Sequence, residues 1–131
     1  MLCADTSCWI QYLAGQQGSD VQLIDEHLQQ HSITMCPVVL AELLSDPFRS
    51  LKARESLLQI PLLDLKFEFW ERAGLTRAEL IKQKIKPKLA DTLIAQVCID
   101  HNLPLHTRDT GFRSFAKHAG LQLVLHRLVN W

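Results

Sequence analysis

Residues 103–125, LPLHTRDTGFRSFAKHAGLQLVL, carry the reading that decides the fold. LPLHT is a short apolar run, and LQLVL (121–125) is another. Between them TGFRSFAKHAG reads as a helix that stops at Gly120, a residue type well suited to closing one. Strand, helix and strand in this order form a crossover unit, and such units build parallel sheets.

The same alternation extends toward the N-terminus. MLCAD (1–5) reads as a strand that emerges at Asp5, and TSCWIQYLAG as a helix with Trp9, Ile10 and Leu13 at helical spacing. A second helix fits Ser19–Gln30, with Val21, Ile24, Asp25 and Leu28 along one side. SITMC is the next strand, after which Pro37 opens a helix through VVLAELL and Pro47 restarts the chain into another reaching about Leu58. IPLLDL (60–65) reads as a third strand. Phe67, Trp70, Ala73, Gly74, Ala78 and Ile81 then suit one face of a long amphipathic helix, with Phe67 and Trp70 in the core. KQKIKPK breaks that helix, and Pro87 starts another through about Asp100. The strands are continuous apolar runs, as expected for a parallel sheet covered by helices on both faces. The expectation is an α/β fold with five parallel strands.

Composition excludes several classes. The chain has 131 residues, is 47% hydrophobic and 21% charged, and has a formal net charge of zero. One domain spanning 1–131 is expected, and bulk charge gives no sign of a nucleic-acid binder. The N-terminus lacks a basic region and carries Asp5 early, so no signal peptide is expected, and no apolar run approaches membrane-spanning length. Cys3, Cys8, Cys36 and Cys98 are scattered without metal-site spacing and read as buried hydrophobes of a reducing, cytoplasmic setting.

Four acids fall where chemistry is expected. In open α/β sheets the ligand crevice lies beyond the carboxyl ends of the strands. Asp5 ends the first strand and Asp109 follows the fourth. Glu42 has the apolar Val38, Val39 and Leu43 as one-turn neighbours. In LADTLIAQ (89–96), Asp91 shares a helix face with Ile94, Ala95 and Cys98, in the second turn of its helix. Each has a structural alternative: Asp5 and Asp109 suit helix caps, and Glu42 a surface helix. Grouped carboxylates repel one another unless a cation neutralises them, however, and hard divalent ions such as Mg²⁺ and Mn²⁺ prefer such oxygen ligands. A metal site is therefore expected, able to activate water against a phosphodiester.

DTSCWI (5–10), PVVLAELL (37–44), LADTLIAQ (89–96) and LPLHTRDTGF (103–112), in this order and spacing, resemble a PIN domain, most closely the VapC-type toxins of bacterial toxin–antitoxin pairs. The resemblance implies a three-layer α/β/α sandwich with strand order 3-2-1-4-5 and Mg²⁺- or Mn²⁺-dependent ribonuclease activity. It implies that Asp5, Glu42, Asp91 and Asp109 hold the metal and orient the attacking water. Thr107, Thr6 and Ser7 match polar residues that support those ligands, and Phe112 matches a packing aromatic. Ser45 and Asp46 stand where the family often has a Gly, and Thr92 stands where Ala is usual. The resemblance also implies a homodimer and an antitoxin partner that inserts a segment into the acidic pocket.

Lys82, Lys84, Lys86 and Lys88 crowd the segment before Asp91, and Arg108 and Arg113 flank Asp109. Lys86, Lys88, Arg108 and Arg113 are candidate RNA-phosphate contacts; the alternatives are a solvated connector and counter-charges for the acids. His101 and His106 read as surface or strand-end residues, because a metal-bound water needs no histidine base. A haloacid-dehalogenase-type phosphatase would need a second Asp at the position of Ser7. A cysteine hydrolase has no local signature, and a silent PIN-like binding module would be expected to have lost acids. The sequence favours the metal-dependent endoribonuclease.

Overall fold

The computed structural model describes residues 1–126. Its strands are β1 (Leu2–Ala4), β2 (Ile33–Thr34), β3 (Leu105–Thr107) and β4 (Leu123–Leu125), all parallel, in the order β2-β1-β3-β4. The helices are α1 (Thr6–Leu13), α2 (Ser19–Gln29), α3 (Pro37–Leu44), α4 (Leu51–Leu58), α5 (Phe69–Lys82), α6 (Leu89–Asp100) and α7 (Arg113–Ala119). The class is the expected one: α/β, with a parallel sheet among helices.

The expected third strand, IPLLDL, shrinks to one bridge, in which Leu62 pairs parallel with Met35. Met35 N–H donates to Pro61 O at 2.9 Å and Leu63 N–H donates to Met35 O at 2.9 Å. Pro61 has no N–H to continue the ladder, which confines the segment to a sheet edge. Counted with this bridge, the order agrees with 3-2-1-4-5.

Every residue of β1 is buried, as a strand covered on both faces requires. Trp9, Ile24, Met35, Leu43, Leu80 and Phe115 are among the largest fully buried side chains. All four cysteines are free and buried, and Cys3 and Cys98 sulfurs stand 3.5 Å apart. Pro37 occupies the first turn of α3, and Gly120, at φ 79°, closes α7 in the left-handed region that favours glycine. Phe112 is buried, as expected, in a short 3₁₀ turn (Thr110–Phe112) that precedes α7.

The core face of α5 is not the one the spacing suggests. The buried residues are Phe69, Ala73 and Leu80, whereas Phe67 is 87% and Trp70 61% exposed. The helix begins at Phe69, after Glu68 in the left-handed region, so Phe67 lies outside it. Phe69 and Trp70 are about 100° apart around a helix, and both define apolar stripes. Aromatic bulk cannot tell which stripe faces the sheet.

Two unfolding measurements check this arrangement. Trp9→Ala should cost about 3–5 kcal/mol in urea titrations, as for other buried aromatics. Phe67→Ala should cost no more than about 0.5 kcal/mol.

Candidate active site

Asp5 leaves the carboxyl end of β1 and caps α1. Its Oδ1 accepts hydrogen bonds from Ser7 N–H (3.1 Å), Cys8 N–H (3.4 Å) and the Ser7 hydroxyl (2.6 Å), and its Oδ2 from the Thr107 hydroxyl (2.7 Å). The capping reading of Asp5 is the one these hydrogen bonds bear out. Both hydroxyls also accept from the chain that leaves β3: Ser7 Oγ from Arg108 N–H at 3.0 Å, and Thr107 Oγ1 from Asp109 N–H at 2.9 Å. Accepting those N–H groups leaves each hydroxyl proton free to point at Asp5. Two parallel relays thus join the ends of the adjacent strands β1 and β3.

Asp109 is exposed at the end of this segment, and its Oδ1 accepts from Gly111 N–H at 2.8 Å, which caps the 3₁₀ turn. Asp91 lies half-buried in the first turn of α6, one turn earlier than the sequence spacing suggests, because the helix begins only at Leu89. Glu42 is exposed on α3, where its Oε1 accepts from the Thr6 hydroxyl at 2.6 Å and links α1 to α3.

Burial pushes the Asp5 carboxyl above its usual range. Its four hydrogen bonds offset this only in part, and Asp109 adds to it. Burial also raises Asp91, helped by Asp109, Glu42 and Asp5 and opposed by Lys88. Among the described residues, no hydrogen bond lowers Asp91. Among the described residues, none of the four acids forms a salt bridge. The sequence acids therefore do share one electrostatic neighbourhood. As the side chains stand, however, no three His, Cys, Asp or Glu groups among the described residues are placed to hold one ion.

A cavity of about 390 Å³ opens beside Asp91 and Asp109. Lys86 and Lys88 line it, so the end of the lysine-rich connector does border the acids. Arg113 is exposed on the first turn of α7. Arg108 does not neutralise the acid cluster. Its Nε and Nη2 donate to the two oxygens of Asp20 at 2.6 and 2.7 Å, and its Nη2 also donates to Gln17 O.

Asp20, which sequence reasoning missed, is 2% exposed. Burial, the largest influence, would raise its pKa, but hydrogen bonds from Arg108, Cys8 and the Val21 N–H, together with the Arg108 charge, outweigh it and hold Asp20 below the usual range. Its position at the start of a helix resembles an ordinary first-turn acid, so no local signal separates it from Asp25. His106 lies within β3 rather than at its end, with its ring hydrogen-bonded to His126 at 2.9 Å. Burial and His126 push its pKa down to about 4, which makes it a weak proton acceptor. His101 bonds to Asp64 O at 2.7 Å. Trp131, given no role by the sequence, lies outside the described residues.

A PIN-domain family model matches residues 2–118. No curated protein matches the sequence. Among solved structures, VapBC2 from Rickettsia felis, bound to a DNA fragment from its promoter, is similar with a TM-score of 0.73 and 21% identity, over 95% of this chain and 97% of that one. DNA-bound VapBC from Salmonella typhimurium gives 0.66 at 21% identity, over 95% and 98%. FitAcB from Neisseria gonorrhoeae gives 0.66 at 21%, over 94% and 96%. At these identities the likeness establishes the fold.

Thr107→Val tests the relay while keeping the side-chain shape. The variant loses a hydrogen bond to Asp5 and strands the Asp109 N–H, so it should lose about 1–3 kcal/mol at pH 7. Asp5 already sits above its unfolded value, and without Thr107 it should move higher. A raised carboxyl contributes stability that is present at low pH and lost as pH rises through its folded pKa. The deficit of Thr107→Val should therefore be smaller below the carboxylate range and widen as pH rises through it, measured by urea unfolding at pH 3 and pH 7.

Proposed function

The chain belongs to the PIN-domain family, and from that premise we propose that residues 1–131 act as a single metal-dependent endoribonuclease domain. The observation that carries this reading is that Asp91, half-buried and without a hydrogen bond or salt bridge among the described residues, lines one cavity with Asp109. Burial and the charges of Asp109, Glu42 and Asp5 raise its pKa, and Lys88 opposes them only in part. A half-buried carboxylate in that setting is costly unless a cation accompanies it.

The donor set fits a hard divalent ion. Asp5, Asp91 and Asp109 offer only oxygen, and Glu42 adds another carboxylate from α3. Holding one requires side-chain adjustment, since the carboxylates are not gathered in advance. Mg²⁺ or Mn²⁺ bound there would supply a lowered pKa for its water and charge neutralisation at the phosphodiester. The chain's own residues do the remaining work. Ser7 and Thr107 fix the orientation of Asp5, and Thr6 steadies Glu42. Lys86 and Lys88 present positive charge beside the acids, where an RNA backbone would lie.

We read the chain as the toxin of a toxin–antitoxin pair, with a cognate antitoxin and a second copy of itself as partners. The fold likeness to VapBC and FitAcB complexes supports the first partner. The second is supported by the outer stripe of α5, where Trp70, Gly74, Ala78 and Ile81 are exposed at helical spacing. Among the described residues, no helix is long and apolar enough to cross a membrane. The rival reading, a silent binding module, draws on the absence of a gathered ligand set. It gives no account of a half-buried Asp91 grouped with other acids.

The test is incubation of the purified protein, free of any antitoxin, with total RNA in Mg²⁺, Mn²⁺ or EDTA. Discrete cuts should appear with metal, vanish with chelator, and fall more than about 100-fold in Asp91→Asn, beyond the usual loss for a supporting residue. Metal at about 100 times its Kd should stabilise the wild type by about 2.7 kcal/mol and Asp91→Asn much less. Folded protein that neither cuts nor gains stability with any metal would leave the binding module.

The α5 stripe is tested separately. Trp70→Glu should convert a dimer to a monomer in sedimentation equilibrium without lowering the monomer's own stability by more than about 0.5 kcal/mol.

A further inference from the structure

The segment that leaves β3 is held from two sides. On one side, Ser7 Oγ accepts from Arg108 N–H at 3.0 Å, Thr107 Oγ1 accepts from Asp109 N–H at 2.9 Å, and both hydroxyls donate to Asp5. On the other, the Arg108 guanidinium grips Asp20, on the first turn of α2, through Nε at 2.6 Å and Nη2 at 2.7 Å. Nη2 also donates to Gln17 O at 3.3 Å, in the loop before α2. Nη1 is buried without a partner, so among the described residues these bonds alone anchor the guanidinium.

Both grips act on one stretch of backbone. The N–H that reaches Ser7 and the side chain that reaches Asp20 belong to Arg108, and its neighbours Thr107 and Asp109 carry the second relay. The outer grip is stiff. Asp20 is 2% exposed, and a forked contact fixes orientation as well as distance. Gly18 keeps room for it, since a Cβ there would lie 2.5 Å from Arg108 Nη2 and 2.6 Å from Asp20 Oδ1. A buried ion pair contributes little net stability beside an apolar pair of similar volume. Its place, on the residue between the two relays, gives this one another use.

We propose that Asp20 is a positioning residue for the acid site: through Arg108 it braces residues 107–109, so that Ser7 and Thr107 present Asp5, and the chain presents Asp109, in one fixed arrangement. Asp20 acts only through Arg108 and takes no part in the chemistry. Losing the brace loosens both relays at once, because each has a partner on the braced segment. The consequence for metal affinity rests on the nuclease reading; the brace itself does not.

The first arm of the test needs no metal. Amide hydrogen exchange is read by NMR on the full chain, with the amide of the buried Leu80 in α5 as the reference for global opening. Relative to that reference, Asp20→Asn should speed exchange at Arg108 and Asp109 by at least about tenfold, the protection of one hydrogen bond. Gly18→Ala keeps both charges but drives a Cβ into the pair, and it should do the same. Gly15→Ala is the control: it strains the same loop, at φ 71°, yet its Cβ meets nothing within 4 Å, and both amides should exchange as in the wild type. Unchanged exchange in whichever of Asp20→Asn and Gly18→Ala folds, or equal acceleration in Gly15→Ala, would overturn the proposal.

The second arm measures Mn²⁺ affinity of the folded proteins from the electron paramagnetic resonance of the free ion. The Kd should rise at least about tenfold in Asp20→Asn and Gly18→Ala, as for other residues that orient ligands, and stay unchanged in Gly15→Ala. Arg108→Met should raise it too, because the brace goes with the side chain. Unchanged or tighter binding in Arg108→Met would show that Asp20 merely keeps a positive charge from the acids, and the brace would fall. Faster exchange with an unaltered Kd in Asp20→Asn and Gly18→Ala would reduce the pair to a structural one. Wild-type protein that shows the exchange pattern but binds no Mn²⁺ would sink the nuclease reading and leave the brace standing.

Discussion

The carboxylate of Asp5 is the joint on which the remaining structure turns. Its oxygens receive two hydroxyl protons, from Ser7 and Thr107, and those hydroxyls receive the N–H groups of Arg108 and Asp109. One side chain therefore caps α1, ties β1 to β3, and sets the path of the segment carrying Asp109. None of these functions can be lost alone. Desolvation raises the proton affinity of the carboxyl, and the hydrogen bonds to it favour the charged form. The balance keeps Asp5 above its usual range and exposes it to the charge of Asp109. A site built this way holds its electrostatic strain in the folded state, where only a bound cation or a proton can relieve it.

The parallel arrangement was legible because strands and helices alternate in continuous apolar runs, and parallel order needs little more than that. The acids stood out in the sequence for a different reason. A carboxylate among Ile94, Ala95 and Cys98 contradicts the pattern around it, and such contradictions mark function more readily than agreement does. What stayed hidden was long-range choice between equivalent local options. On α5, Phe69 and Trp70 both head apolar stripes, and only packing against α6 and α7 decides which is buried. IPLLDL has strand composition, yet its place at the sheet edge and Pro61 reduce it to a bridge. The pair Asp20–Arg108 joins residues 88 apart in sequence, and neither member stands in a distinctive local context.

That last pair explains why Arg108 lends the acid cluster no charge. Arg108 lies between Thr107 and Asp109, and a guanidinium there could reach the acids and neutralise them permanently. Instead both its Nε and Nη2 are committed to Asp20, on the first turn of α2. Gly18 makes this commitment possible. Its backbone, at φ 153°, is one that side-chain-bearing residues rarely adopt, and a Cβ there would lie 2.5 Å from Arg108 Nη2 and 2.6 Å from Asp20 Oδ1. The fold thus sets aside a buried ion pair through Arg108 Nε and Nη2, with Nη1 buried and unpartnered, while among the described residues Asp5, Asp91 and Asp109 form no salt bridge. Were Arg108 turned to Asp109 instead, Asp20 would be a buried, unpaired charge costing several kcal/mol. The burial of Asp20 and the withdrawal of Arg108 from the acids are therefore a single constraint, imposed where α2 meets the end of β3.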